Sequence, residues 1–181
     1  MGLHTAVAGV PRWAGVAAYA VPLVVLPSGL WRLGAVFERD TSVGEGVYVV
    51  ALSVVSELLA FTAVGLVAEW GERFPSWIPG LRGRRVPVAA ALIPAVTGAL
   101  LLTALWTFTF FQDLTGTTLN GEPLPAEYPG LAGGWEGAVF YLCYLPLLLW
   151  GPLLGVAAWG YYRRRCGGGN EVISAREVPS V

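Results

Sequence analysis

Four long apolar stretches, over residues 13–37, 46–68, 86–111 and 137–162, constrain this chain more than any other feature. Each reaches or exceeds the roughly 20 residues that a helix needs to cross a ~30 Å hydrocarbon layer. In that solvent every backbone polar group must be satisfied within the segment, so each stretch is expected to be a helix. The four are expected to form an all-α integral membrane four-helix bundle. Composition agrees: 55% of the 181 residues are hydrophobic and 13% are charged, about half the charge usual for a soluble domain. The first stretch is longer than a signal-peptide core and has no small-residue cleavage site after it, so it is read as a retained span.

Charge placement sets the expected orientation. The chain has eleven arginines and no lysine. With the N-terminus inside, nine of the eleven fall on the cytoplasmic side: Arg12, Arg73, Arg82, Arg84, Arg85, Arg163, Arg164, Arg165 and Arg176. Arg32 and Arg39 are left toward the outside, where the second outer loop carries Asp113, Glu122, Glu127 and Glu136. The positive-inside rule therefore favours both termini in the cytoplasm of a cell membrane. Residues 1–163 read as the transmembrane domain and 164–181, opening with a glycine run, as a flexible cytoplasmic tail. The arginine, glycine and alanine bias points to a GC-rich, bacterial genome.

Packing faces are also legible. Helices in lipid associate through small residues that let backbones approach. The third stretch has such a stripe at spacing four (Ala91, Ala95, Ala99, Thr103, Thr107), and the fourth has Gly151-xxx-Gly155. Internal packing is the expected use of both. Pro22, Pro27, Pro94, Pro146 and Pro152 lie at membrane depth, where each removes a backbone donor and tends to bend its helix.

Few polar side chains lie deep. Glu57 is about ten residues into the second stretch, roughly 15 Å from its start. An ionised carboxylate near the bilayer centre costs about 3 kcal/mol or more, offset by apolar neighbours worth about 0.3–0.6 kcal/mol each. Glu57 should therefore face the bundle, together with Ser53 one turn earlier. There it either holds helices together or serves as a proton or cation relay or a ligand contact. Arg32 is the candidate cation, either reaching the outer headgroups or pairing inward with Glu57. In the 69–85 connection Trp70, Arg73, Trp77, Arg82, Arg84 and Arg85 alternate with prolines. Indole and guanidinium groups suit anionic headgroups at the cytoplasmic face or a membrane-protein partner, including a second copy of the chain.

Several activities are not expected. The sole histidine, His4, precedes the first span, and no HExxH, GxSxG, Walker A or GxGxxG pattern stands in a suitable context. Cys143 and Cys166 offer no CxxC motif. With a net charge of −1 there is no nucleic-acid footprint. No cofactor is expected, and a non-enzymatic structural, interaction or accessory role leads, with a small transporter or channel using Glu57 as the alternative.

Three segments, Leu26–Arg32 (LPSGLWR), Tyr48–Glu57 (YVVALSVVSE) and Trp70–Pro87 (WGERFPSWIPGLRGRRVP), resemble a set of small actinobacterial four-span membrane proteins that have no established activity. The resemblance covers the first three helices. It implies the topology and the compartment and assigns no functional residue.

Overall fold

A computed structural model describes residues 9–38, 42–72, 84–118, 120–126 and 128–167. Its helices are α1 (Arg12–Glu38), α2 (Val43–Gly65), α3 (Val88–Thr115), α4 (Trp135–Tyr144) and α5 (Trp150–Gly167). The short 3₁₀ segment Leu145–Leu149 joins α4 to α5, so the two form one span. Four apolar segments are thus long enough to cross a membrane, Arg12–Phe37, Val43–Gly65, Val88–Thr115 and Trp135–Cys166. The expected all-α membrane bundle is the observed fold.

Helix ends differ from the hydropathy bounds for local reasons. Helix α2 starts three residues earlier than its apolar run because Ser42-Val43-Gly44-Glu45 forms a capping box. The Glu45 amide donates to Ser42 Oγ at 3.4 Å, and the Ser42 amide donates to Glu45 Oε2 at 3.2 Å. This satisfies donors that a bare helix start leaves open. Pro87 caps the start of α3, and Gly116, at φ 68°, ends it in the left-handed conformation that glycine adopts without strain. The fourth stretch is interrupted. Pro146 cannot donate to the preceding turn, and residues 145–149 tighten into 3₁₀ geometry before α5 resumes at Trp150.

Helix α1 packs along α2 on one side and α5 on the other, and α3 packs along α5. The core at one end combines Ala18, Leu66, Val67, Ala157, Ala158 and Tyr161. A second cluster toward the other end joins Val21, Val25, Ala60, Ala63, Leu147 and Trp150. Most of these are small or β-branched residues, as expected where close approach replaces the hydrophobic effect. Leucine, valine and isoleucine cover the outward faces, with Leu23, Leu30, Val47, Leu58, Ile93 and Leu100 all well exposed.

Both small-residue motifs are used internally. Gly151 faces α3, where a Cβ would lie 2.6 Å from the Ala99 carbonyl oxygen and the Thr103 amide nitrogen. Ala91, Ala95, Ala99 and Thr103 are buried or half-buried on that face, but Thr107 is exposed. A step of four residues advances about 40° beyond a full turn, so a stripe drawn at spacing four drifts off the contact by its fifth member.

Helix direction gathers the charges at opposite ends. Arg12, Arg84, Arg85, Arg163, Arg164 and Arg165 mark one end, together with Glu69 and Glu72; Glu45, Asp113, Glu122 and Glu136 mark the other, together with Arg32. At the arginine end α5 runs to Gly167, four residues past the boundary expected at residue 163. Arg164 and Arg165 therefore belong to the folded domain. Residues 168–181 of the expected tail lie outside the described residues.

Candidate functional site

At the acidic end lies a cavity of about 350 Å³, within the size range of small-molecule sites, roughly 300–1,000 Å³. Helix α1 contributes Trp31 and Arg32, and α3 contributes Trp106, Thr109, Phe110 and Asp113. Val49 comes from α2, Phe140 and Tyr144 from α4, and Tyr128 and Pro129 from the α3–α4 connection. That connection is ordered over its described part. Thr117 pairs with Pro123 in a single antiparallel bridge, and Pro129–Leu131 forms a 3₁₀ turn that carries Tyr128 over the cavity.

Tyr128 is fixed from two sides. Its hydroxyl donates to Asp113 Oδ1 at 2.6 Å, and its ring meets Phe140 edge-on at 5.6 Å between centroids. Phe140 also stacks on Tyr144 at 4.5 Å and meets Trp31 at 6.2 Å, so an aromatic chain lines one wall. Burial first, and then the bond to the Asp113 carboxylate and its charge, push the Tyr128 phenol above its ordinary value of 10.0. A raised folded-state value means that the folded chain holds this proton more tightly than the unfolded one. The associated stability is intact below about pH 10 and is lost as the pH rises beyond it. Melting curves in detergent should fall in midpoint above about pH 10, and Tyr128→Phe should flatten that fall while costing about 1 kcal/mol at neutral pH. An unchanged alkaline fall in the variant would contradict the assignment.

Arg32 lines the same cavity. Its Nε is buried without a hydrogen-bond partner, as is the Trp106 indole Nε1. No Arg32 nitrogen lies within the 4.0 Å ion-pair distance of a carboxylate oxygen among the described residues, whether of Asp113 in the same cavity or of Glu57. The residues singled out from sequence thus separate. Arg32 belongs to the cavity, whereas Glu57 and Ser53 do not line it. Ser53 is buried and donates to the Val49 carbonyl at 2.8 Å. Glu57 follows it by one turn on the packed side of α2, half-buried between Ser53 and Ala60. Asp113 and Tyr128 were not singled out from sequence. Asp113 read as one of the acids of the second outer loop, and the position of Tyr128 depends on a turn that hydropathy does not report.

Of the interfacial candidates, Trp70 folds back on α2, stacked on Phe61 at 6.0 Å with ring planes 6° apart and lying against Gly65. Arg84 and Arg85 are exposed. Arg73, Trp77 and Arg82 lie outside the described residues. The ordered polar contact at this end is one that the sequence reading did not select. Arg164 pairs with Glu72 at 2.6 Å and donates to the Leu66 carbonyl at 3.3 Å, and Arg165 donates to the Val86 carbonyl at 2.9 Å.

Fold and cavity together define a four-span helical membrane protein with a small aromatic site at one end. No protein-family model, curated protein or solved structure matches the chain.

Proposed function

We propose that the chain is a non-enzymatic multi-pass component of a bacterial cell membrane, with a structural, interaction or accessory role, similar to the actinobacterial set it resembles. Both ends of its apolar domain face the cytoplasm. The observation that carries this reading is where the cavity stops. Val49 is its lining residue from α2, and Glu57 lies two turns farther along, roughly 12 Å at 1.5 Å per residue. Beyond it, the apolar cluster around Tyr161 and the Arg164–Glu72 pair fill the arginine end. A binding site open at one end suits recognition better than passage. Hydroxyls at depth support the same reading, because Ser28, Ser53, Ser56, Thr103 and Thr109 all donate to carbonyls of their own helices. Orientation rests on the arginine end, which the positive-inside rule places in the cytoplasm.

The transporter reading is favoured by one observation. Glu57 makes no hydrogen bond or ion pair among the described residues, although it lies on the packed face of α2. Proton flux into vesicles holding the purified chain and a pH-sensitive dye separates the two readings. Vesicles with the chain should leak protons no faster than empty ones, and Glu57→Gln should change nothing. A flux that Glu57→Gln abolishes would overturn the accessory reading and assign the transporter.

A further inference from the structure

The cavity holds two opposite charges that do not neutralise each other. Arg32 and Asp113 both line it, yet they are not within ion-pair distance. Leaving a guanidinium unpaired in a mostly apolar site is costly, because the charge loses water without gaining a counter-ion. The buried, unpartnered Nε of Arg32 is the local sign of that deficit, and the Trp106 Nε1 beside the same space adds a second open donor. Asp113 has one oxygen committed to Tyr128. The rings of Trp31, Phe110, Phe140 and Tyr144 complete the wall, and electron-rich aromatic walls attract ammonium groups.

A purely anionic occupant would satisfy Arg32 but place its charge in the same apolar space as the Asp113 carboxylate. A purely cationic one would suit Asp113 and the rings but meet Arg32. A molecule carrying both charges at separate points satisfies both. We propose that this cavity binds a small zwitterion, its anionic group at Arg32 and the Trp106 indole N–H, its ammonium at Asp113 beside the aromatic wall. The volume accommodates either an apolar amino acid or the headgroup of an aminophospholipid. The two share this chemistry, and the site is independent of the accessory role.

Calorimetric titration of the full chain in maltoside micelles tests the proposal with two probe series. One series is L-leucine, N-acetyl-leucine and leucinamide. The other is dihexanoyl phosphatidylethanolamine, its N-acetyl derivative and the corresponding phosphatidylethanol. Binding is expected in one series, with the zwitterion at least tenfold tighter than any single-charge or charge-depleted analogue. The series that binds identifies the source. Arg32→Gln should abolish the preference for L-leucine over leucinamide, or weaken the phosphatidylethanolamine at least tenfold. Asp113→Asn should abolish the preference over the acetylated analogue, and Arg32→Lys should restore most of the affinity lost in Arg32→Gln. The analogue comparison on the unaltered chain decides the matter even where a variant fails to fold. Equal binding of zwitterion and analogues, or no heat from either zwitterion up to millimolar concentration, would overturn the proposal.

Discussion

Gly151→Ala is expected to destabilise the folded chain by about 1–3 kcal/mol, although alanine is ordinarily the better helix former. The added Cβ would lie 2.6 Å from the Ala99 carbonyl oxygen and the Thr103 amide nitrogen, both backbone atoms of α3 that cannot rotate away. Thr103 cannot yield cheaply either, since its hydroxyl already donates to Ala99 O at 2.7 Å. Relief requires α3 and α5 to separate, which loosens the contact that holds α3 in the bundle. Gly155→Ala, one turn on, is the control. Its Cβ would meet the Ala99 Cβ at 3.8 Å, ordinary van der Waals contact. There the helix gains alanine's backbone advantage of about 0.5–1 kcal/mol. Thermal unfolding in detergent should therefore move in opposite directions for the two variants. A shared direction would mean that α3 and α5 do not meet at Gly151.

Arg164→Ala is the second large effect, at about 2–3 kcal/mol. The Arg164 side chain is 10% exposed and its partner Glu72 is 21% exposed, so the pair is only partly screened by solvent. One guanidinium bonds the Glu72 carboxylate and the Leu66 carbonyl at the C-terminal end of α2, while Tyr161 lies beneath it at 5.7 Å. Its removal leaves Glu72 with Arg165 at 3.9 Å as its remaining partner. Arg163→Ala, at an exposed neighbouring position, should stay within about 0.5 kcal/mol. Denaturation of both variants in the same detergent checks the contrast. Equal losses would show that the arginine triplet acts as bulk charge and not through this contact.

The same triplet illustrates what the sequence discloses and what it conceals. Counted as charge, Arg163–Arg165 enter the orientation expected from the positive-inside rule, and that needs no structure. Arg164 and Arg165 also join α5 to the chain leaving α2 and entering α3, residues far apart in sequence that only the fold brings together. The spans were legible because hydrocarbon imposes length and apolarity on each segment separately. The start of α2 was not: hydropathy placed it at residue 46, and the Ser42–Glu45 capping box carries the helix back to Val43. Five prolines at membrane depth were legible as bend points, but the sequence did not single out Pro146, where the last span tightens into 3₁₀ geometry, from Pro22, Pro27 and Pro94, which stay inside α-helices.

The candidate site was half visible. Arg32 stands out as a cation at membrane depth, and sequence reasoning offered it Glu57 because both lie deep on adjacent helices. The fold gives it a different setting. The α3–α4 connection turns back at Pro129–Leu131 and brings Tyr128 to Asp113, and that pair shares the cavity with Arg32. Such a closure depends on contacts between distant segments, which periodicity does not encode.

The proposed role depends on apolar helices crossing a bilayer and on the proposed orientation, the arginine-rich end in the cytoplasm and the cavity end outside. Thiol labelling in intact cells tests that arrangement most directly, with Cys143 and Cys166 replaced by serine and a single cysteine introduced by Glu122→Cys or Arg84→Cys. A membrane-impermeant maleimide is expected to label the Glu122→Cys chain in intact cells and the Arg84→Cys chain only after permeabilisation. The reverse pattern, or labelling of both from the same side, would contradict it.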